Sequence, residues 1–279
     1  MMDASDRRLA NVREPVLSVC LPTFNRETTV TKLVSDLMQV EGVEVCVHVD
    51  GSTDGTAQAL QALSAGHPQL RVTSSENRGR ASALLGAIAM ASAPFVMLFD
   101  DDDDVSLDGL RALLPQLQAL PDDCCGYVCH MNDERGCRLG CAFPTDRSNF
   151  LKLRFDQGVS GDKKEIVRTD LLRRALYRAV PTVRRAPTSL IWNRLALTHD
   201  VICLDLVLGV KRYMLDGYTR KNVRLRLDNP GPMREVNALR LEGYVRGRYV
   251  AAGFALRSLL AMIAYAIYTP IHAVRKLAR

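Results

Sequence analysis

Residues 95–104 read Phe-Val-Met-Leu-Phe-Asp-Asp-Asp-Asp-Asp, an apolar run that ends abruptly in five carboxylates. The apolar part has the length and composition of a buried strand, and functional groups gather at strand ends in open α/β sheets. Several carboxylates in one place suit a hard divalent cation such as magnesium or manganese. A cap for a helix that begins near Leu107 would need only one or two acids. The stretch therefore predicts an α/β fold with a metal site at a strand end.

Strands and helices alternate over the first 120 residues. Short apolar strands are predicted over residues 16–21, 43–49, 70–73 and 94–99. The segments between them carry apolar residues at the i, i+3, i+4 spacing of amphipathic helices. This order predicts a mostly parallel sheet flanked by helices, with right-handed crossovers.

The chain after residue 120 is less regular. A hairpin is predicted from residues 126–131 and 138–143, a helix from 189–197, and one or two strands from 201–210. The apolar fraction of 47% in 279 residues supports a sizeable core. We expect this part to complete the same domain.

The C-terminal region is both apolar and basic. Residues 251–268 are apolar for nearly their whole length, apart from Arg257 and Ser258. Residues 243–279 carry six Arg or Lys and no acid, which accounts for the formal charge of +6. A spanning helix tolerates a central Arg poorly, whereas flanking basic and Tyr residues suit a helix lying on a membrane surface. An ordinary buried helix with a basic tail is the alternative.

The eight cysteines do not indicate a disulfide framework. Residues 1–15 are polar and lack an apolar signal segment, so we expect a reducing cytoplasm. A zinc site is one interpretation of four cysteines and a histidine: Cys125, Cys129, His130, Cys137 and Cys141. Each cysteine pair has three intervening residues, where structural zinc sites often have two. An apolar hairpin around residues 133–136 is the alternative.

Four motifs follow one another along the first half of the chain. They read Leu17-Ser-Val-Cys-Leu-Pro-Thr-Phe-Asn-Arg26, Val49-Asp-Gly-Ser-Thr-Asp-Gly-Thr56, Glu76-Asn-Arg-Gly79 and Leu98-Phe-Asp-Asp-Asp-Asp103. In this order and spacing the sequence resembles the family 2 inverting glycosyltransferases of the GT-A fold. Weaker strings at 161–172, 189–194 and 213–217 resemble bacterial members that build cell-surface polymers. The resemblance implies transfer of a sugar from a nucleotide-sugar donor, with a UDP-sugar as the expected donor.

Composition and the resemblance together divide the chain. Composition indicates a polar N-terminal tail (1–15) and a basic amphipathic C-terminal helix (241–279), and between them the resemblance implies a nucleotide-sugar-binding GT-A half (16–125) and an acceptor-binding half of the same domain (126–240). The last segment is the expected membrane-surface attachment.

Donor and metal sites follow from the motifs. The substrate-binding residues implied by the resemblance are Pro22, Thr23, Phe24, Arg26, Asp50, Arg80, Asp100 and Asp101. Asp50 would accept a hydrogen bond from the base, and Arg80 would contact the phosphate or the base. Asp100 and Asp102 would be the outer members of an Asp-X-Asp motif that binds Mn²⁺ or Mg²⁺. Thr53 and Asp54 are expected only to form a turn and a helix start.

Inversion requires a base that removes the proton of the acceptor hydroxyl. Related sequences carry an acid shortly before the Trp of the later helix, whereas this chain reads Ala186-Pro187-Thr188-Ser189 there. The base is therefore sought among four other acids: Asp162, Glu165, Asp170 and Asp216. Turn formation and helix capping are the alternative roles of Asp162 and Asp170.

Two further groups of side chains have alternative interpretations. Lys163, Lys164 and Arg168 are candidates for binding substrate phosphate, although charges on a strand edge are usually only solvated. Trp192 is expected to be core because of its spacing from Leu195, with stacking on a sugar as the alternative.

The expected partners are a nucleotide-sugar donor, a lipid-linked or polymeric glycan acceptor and a membrane surface bound through the C-terminal tail. No nucleic acid is expected, because the tail charges alternate with an apolar helix and lack an aromatic stacking surface. The expected location is cytoplasmic, peripherally attached to the cytoplasmic face of the inner membrane.

Two other functions compete with this interpretation. A nucleotidyltransferase that makes sugar nucleotides would need a Gly-rich phosphate loop, which residues 22–26 do not resemble. A catalytically inactive homologue that binds sugar nucleotide or glycan as a regulatory module would explain the missing acid near Thr188. The retained carboxylates of residues 100–103 argue against this second function.

Overall fold

The computed structural model describes residues 14–176, 186–212 and 230–277, with the backbone alone for residues 270–277. The strands are β1 (Leu17–Thr23), β2 (Val43–Asp50), β3 (Leu70–Ser75), β4 (Phe95–Leu98), β5 (Asp104–Val105), β6 (Cys124–Asn132), β7 (Arg147–Ser148), β8 (Lys163–Arg168) and β9 (Asp200–Val210). The α-helices are α1 (Glu27–Leu37), α2 (Thr56–Ser64), α3 (Arg80–Met90), α4 (Leu107–Leu113), α5 (Phe150–Phe155), α6 (Thr169–Ala175), α7 (Ser189–Ala196), α8 (Pro230–Val245) and α9 (Ala252–Leu277). A 3-10 helix, Leu114–Ala119, follows α4.

The described strands form one sheet with the order β3-β2-β1-β4-β8-β6-β9-β5, and β7 pairs with β9. The first four strands are parallel, as the alternation of strands and helices predicts. Every residue of β1 and β2 is buried, because helices cover both faces of this part of the sheet. Leu17 and Val19 belong to one apolar cluster and Cys20 to the other, so the core has two layers.

The second part of the sheet is mixed. The β8 strand runs antiparallel to both β4 and β6, and β9 is parallel to β6. These two reversals leave β6 and β9 pointing in the same direction as β4. The carboxyl ends of β4, β6 and β9 therefore meet at one sheet edge, together with the amino end of β8. The α/β fold class is confirmed, although only the first part of the sheet is entirely parallel.

The predicted hairpin of residues 126–131 and 138–143 is wrong. Residues 138–143 form no strand and contribute only an isolated bridge between Asn132 and Arg138. The β6 strand already pairs with β8 on one edge and β9 on the other. Because β8 occupies that edge of β6 as far as His130, only the end of β6 is left for the returning chain, where the Met131 carbonyl accepts from the Leu139 N–H at 2.8 Å.

The chain ends in two packed helices, α8 and α9. The α8 helix begins at Pro230, so the predicted boundary at residue 241 falls inside it. Ala255 and Ser258 on α9 are buried. Leu256, Leu260, Ile263 and Ile267 are 47–62% exposed, and their i, i+4, i+7, i+11 spacing places them on one helix face. By length and composition, residues Ala252–Thr269 could cross a membrane.

Candidate functional site

Asp50 ends β2 and fixes the loop that leads into α3. Its buried carboxylate accepts hydrogen bonds from the backbone N–H of Arg78, at 2.8 Å, and of Gly79, at 2.9 Å. Gly51 has a φ of +67°, and a Cβ there would lie 2.5 Å from the backbone nitrogen of Asn77. The glycine is needed for this close approach. Asp50 and Gly51 together place Arg80 at the first position of α3.

The turns after β1 and β2 are joined by hydrogen bonds. The Thr53 N–H donates to Oδ1 of Asn25 at 2.8 Å, and the Asn25 N–H donates to Oγ of Ser52 at 3.0 Å. Asp54 accepts from the Thr56 N–H at 3.0 Å, where α2 begins. The expected turn and helix-start roles of Thr53 and Asp54 are confirmed. Pro22 and Thr23 are buried beside these turns, whereas Phe24 is 44% exposed.

The acids after β4 form a compact group. The Asp103 N–H bonds to the Asp100 carbonyl at 3.3 Å, so the chain turns back within the acidic run. Asp100, Asp102 and Asp103 each offer a carboxylate oxygen, and these oxygens lie within 4.8 Å of one another. Three converging carboxylates are a donor set that fits Mg²⁺ or Mn²⁺. The structure thus brings the predicted ligands Asp100 and Asp102 together and adds Asp103.

Three basic side chains surround this group. Arg80 forms an ion pair with Asp100. Lys211 lies 3.2 Å from a carboxylate oxygen of Asp100 and 3.2 Å from one of Asp103. Lys164 lies 3.9 Å from Asp103. The acidic group is therefore balanced by cations that the protein itself supplies.

These contacts affect the carboxyl groups differently. Burial alone would raise the pKa of Asp100, but Arg80, Lys164 and Lys211 outweigh it and hold this pKa well below its usual range. Burial raises the pKa of Asp103 to about 6 against the same two lysines. Burial also raises the pKa of Asp101 to about 6, against the opposing effect of the neighbouring Thr23 side chain. All three groups are thus ionised at slightly alkaline pH.

The acidic turn is anchored to the end of β9. Asp104 pairs with Val210 in the sheet, and its carboxylate forms an ion pair with Arg212 at 2.6 Å. A Cβ on Gly209 would lie 2.4 Å from the Asp104 carbonyl oxygen, so only glycine permits this pairing. The pairing brings Lys211 next to Asp100 and Asp103.

A cleft of about 680 Å³ opens beside the acids. Four acidic residues line it: Asp100, Asp103, Asp162 and Glu165. Six basic residues line it: Arg80, Arg154, Lys163, Lys164, Lys211 and Arg240. Apolar side chains complete the wall, among them Phe150, Phe155 and Trp192. Trp192 is also buried against Phe150, with ring centroids 5.4 Å apart, so its expected place in the core is confirmed.

The candidate bases separate by position. Asp162 is exposed at the cleft, and Glu165 lies half-buried on its wall. Burial raises the pKa of Glu165 to about 7, against the charge of Lys164. Asp170 is exposed and pairs with Arg174 in the first turn of α6, so it does not line the cleft. Asp216, and the loop of residues 213–220, lie outside the described residues.

The cysteines of the predicted zinc site do not lie together. Cys125 and Cys129 are buried in different core layers, whereas Cys137 and Cys141 are exposed. The only metal-capable group among the described residues is the carboxylate one, so the zinc interpretation is wrong.

The three basic residues of β8 have partners within the protein. Arg168 donates to backbone carbonyls of residues 120, 121 and 124, at the strand end away from the cleft. Lys163 lines the cleft, but its ammonium group donates to the carbonyls of Leu139 and Cys141.

Sequence reasoning missed Lys211, Arg154 and Arg240. Lys211 directly follows the apolar run of β9, so the rule that functional groups gather at strand ends could have identified it. The direction of β9 was not known from sequence, because it depends on the reversal at β8. Arg154 and Arg240 lie on α5 and α8, and their sequence surroundings carry no comparable signal.

Comparisons with known proteins agree with this geometry. The chondroitin synthase of Escherichia coli is 29% identical over 125 residues, which are 44% of this chain and 18% of that relative. The chain thus spans only a small part of that relative's length.

Two solved structures resemble the whole chain more broadly. S. aureus TarS 1–349 in complex with UDP has a TM-score of 0.60 at 18% identity, covering 90% of this chain and 70% of that one. The mannosyltransferase PcManGT from Pyrobaculum calidifontis, in complex with GDP-Man and Mn²⁺, has a TM-score of 0.53 at 20% identity, covering 98% and 92%. At these identities the similarity shows the fold, which is GT-A.

The family model described as Glycosyl transferase family 2 matches residues 18–160, just over half of the 279-residue chain. The match spans β1 to β7 with the acidic turn and ends shortly before β8. The chain belongs to glycosyl transferase family 2.

Proposed function

We propose that the protein is a metal-assisted inverting glycosyltransferase that moves a sugar from a UDP-sugar to a surface-glycan or lipid-linked acceptor. The observation that carries the proposal is the group of Asp100, Asp102 and Asp103 at the carboxyl end of β4, beside a large polar cleft. Ligands bind outside the carboxyl ends of strands in open α/β sheets. A diphosphate donor would meet both carboxylates and basic side chains there.

Asp100, Asp102 and Asp103 would hold Mn²⁺ or Mg²⁺. The bound cation would offset the negative charge that develops on the diphosphate as it leaves the anomeric carbon. Arg80 and Lys211 both contact Asp100, and both line the cleft. They would bind the diphosphate oxygens.

The nucleoside part of the donor would lie over the ends of β1 and β2. Pro22 and Thr23 end β1, Phe24 and Arg26 follow it, and Asp101 lies near Thr23. Asp50 uses its carboxylate to hold the loop before α3, yet a carboxylate has about four acceptor positions. It can therefore still accept a hydrogen bond from a base. The similarity to a fold that binds UDP in TarS supports a uridine nucleotide.

Glu165 is the proposed base. A general base works best when its pKa lies near the working pH, and burial brings the pKa of Glu165 to about 7. It lies on the wall of the same cleft as Thr188, where related sequences carry the acid. Asp162 is the second candidate at the cleft, and Asp216 stays a prediction.

The proposed donor and acceptor halves would meet at this cleft. Leu98 and Asp100 come from the proposed donor half, whereas Trp192 and Arg240 come from the proposed acceptor half. Phe155, on the proposed acceptor side, packs against Phe254 of α9 with ring centroids 5.0 Å apart. The apolar stripe of α9, residues 256, 260, 263 and 267, would rest on the cytoplasmic face of the inner membrane. A lipid-linked acceptor would then reach the cleft from the same surface.

Thermal unfolding with a panel of nucleoside diphosphates and nucleotide sugars tests the donor site. UDP and one UDP-sugar should stabilise the protein in Mn²⁺ and not in the presence of a chelator. A ligand at about 100 times its Kd adds roughly 2.7 kcal/mol to the free energy of unfolding, which is easily measured. If no nucleotide stabilises the protein with any divalent cation, the proposal fails. Stabilisation without turnover would instead indicate the inactive binding module.

A further inference from the structure

We propose that Lys211 occupies the cation position between Asp100 and Asp103 in the ligand-free protein, and that a divalent cation displaces its ammonium group, which then binds the donor diphosphate. The inference rests on the proposed function in taking the cleft as the donor site. It adds a residue that couples metal binding to nucleotide binding.

The geometry shows that a lysine and a metal would compete. The Nζ of Lys211 lies 3.2 Å from Oδ2 of Asp100 and 3.2 Å from Oδ2 of Asp103. Both residues belong to the carboxylate group that could hold a metal. A divalent cation bound by the same carboxylates would lie next to the ammonium group and repel it.

Lys211 can move while the site around it stays in place. Its backbone N–H donates to the Asn132 carbonyl at 2.8 Å, which fixes the main chain at the end of β9. Its side chain is a flexible four-carbon stem that lines the cleft. Lys164 differs, because its side chain is 9% exposed and its Nζ lies 4.2 Å from the centroid of the Phe99 ring. Lys164 therefore stays with Asp103 when Lys211 leaves.

The charges also couple the two ligands. Asp100, Asp102 and Asp103 carry three negative charges, and Arg80, Lys164 and Lys211 balance them in the ligand-free site. A divalent cation alone leaves two positive charges in excess. A nucleotide sugar with one negative charge on each phosphate restores the balance. Metal and donor should therefore bind with positive cooperativity.

Titration calorimetry on Lys211→Met tests the inference. Without nucleotide, Mn²⁺ should bind the variant about tenfold more tightly than the unmodified protein, a usual size for coupling between sites. At saturating Mn²⁺, UDP should bind the variant about tenfold more weakly. Lys152→Met removes an exposed lysine from α5 and should change neither affinity. Equal or weaker Mn²⁺ binding by Lys211→Met, or unchanged UDP binding, would overturn the inference.

A second variant keeps the test valid if Lys211→Met does not fold. Lys211→Gln keeps a polar side chain and should show the same two changes, with a larger thermal stabilisation by Mn²⁺ than in the unmodified protein. The two proposals fail in different ways. If the unmodified protein binds neither Mn²⁺ nor UDP, the donor site and this inference are both wrong. If the unmodified protein binds both Mn²⁺ and UDP, and the Lys211 variants bind them with the same affinities, only the inference is wrong.

Discussion

Asp102 belongs to the metal-capable group, yet within the described part of the chain it forms no ion pair, unlike Asp100 and Asp103. Asp102→Asn should therefore remove a metal ligand without breaking an internal contact. We expect Mn²⁺-dependent turnover to fall at least about 100-fold, because ligand loss exceeds the usual effect of changing groups around a metal. The thermal unfolding temperature should change little. Initial rates at saturating Mn²⁺ and a melting curve provide the measurement.

Asp104→Asn is the matched control for this variant. Asp104 is adjacent to the group but pairs with Arg212 at the surface, where an ion pair contributes at most about 1 kcal/mol. Its turnover should stay within a few-fold of the unmodified rate. If Asp102→Asn behaves like Asp104→Asn, Asp102 is not a metal ligand.

The pKa of Glu165 predicts how the rate depends on pH. A base must be ionised to accept a proton, and the pKa of Glu165 is about 7 because of burial. The value of kcat/KM should therefore be level above pH 7 and fall as the pH drops through about 7. Glu165→Gln should lower turnover by about 100-fold or more and abolish this dependence. Rates from pH 5.5 to 9 provide the measurement.

Asp162→Asn is the comparison for Glu165→Gln, since both acids line the cleft. We expect Asp162→Asn to keep the pH profile of kcat/KM. If Asp162→Asn loses activity and Glu165→Gln keeps it, the base has been assigned to the wrong residue.

At the scale of elements, a buried carboxylate joins β1, β2 and the start of β4. Glu44 on β2 accepts hydrogen bonds from Ser18 on β1 and from the Ala93 N–H, at 3.0 Å, just before β4. Burial opposes ionisation of Glu44, but the bonds from Ser18 and Ser92 prevail and lower its pKa. These contacts hold together the strands whose ends carry the site.

Glu44→Gln should lower the free energy of unfolding at pH 7 by about 1–3 kcal/mol, because buried donors lose a charged partner. Since the folded pKa of Glu44 is depressed, its stabilisation is present above the unfolded pKa and is lost as the pH falls through the folded value. The difference between variant and unmodified protein should therefore shrink in acid. Urea unfolding at several pH values tests this, with exposed Glu76→Gln as the control. An equal loss at all pH values would contradict the pKa assignment.

The α9 stripe predicts membrane binding. Replacing Leu260 and Ile263 with Gln should weaken binding to anionic vesicles at least tenfold, since burying one such side chain contributes about 1.5–3 kcal/mol. Val245 and Val250 are exposed apolar residues outside the stripe, and the same change there should have a smaller effect. Vesicle co-sedimentation provides the measurement. Equal binding by the two double variants would show that the stripe does not bind the membrane.

Substitution is a better test than deleting the tail. Ala255 and Ser258 are buried, and the backbone N–H groups of Val250 and Ala251 donate to the Asp156 carboxylate, at 3.0 and 2.9 Å. Removing residues from 250 onward would therefore expose the core as well as detach the helix.

Elements with strong local patterns were predictable from the sequence. The strands and helices up to residue 99 follow their apolar periodicity, and the acids after β4 lie where the end of a parallel strand must place them. The hairpin after β6 failed, because periodicity does not reveal which strand edges are already paired. Lys211 was missed for a similar reason, since its place depends on long-range sheet order.

At the scale of the whole molecule, one sheet brings the proposed donor and acceptor sites to one cleft. Its parallel part delivers Asp50 and the acidic turn, and its mixed part delivers Lys164, Glu165 and Lys211 to the same edge. The α8 and α9 helices add Arg240 and an apolar outer face.

The most direct test is sugar release from a panel of nucleotide sugars by the purified protein, with Mn²⁺ and with Mn²⁺ plus chelator. We predict slow hydrolysis of one UDP-sugar that stops when the metal is removed. Adding a lipid-linked acceptor should speed up consumption of that donor, because its sugar is then transferred to the acceptor instead of to water. Nucleotide binding without sugar release, persisting when lipid-linked acceptors are supplied, would contradict the account and identify a binding module.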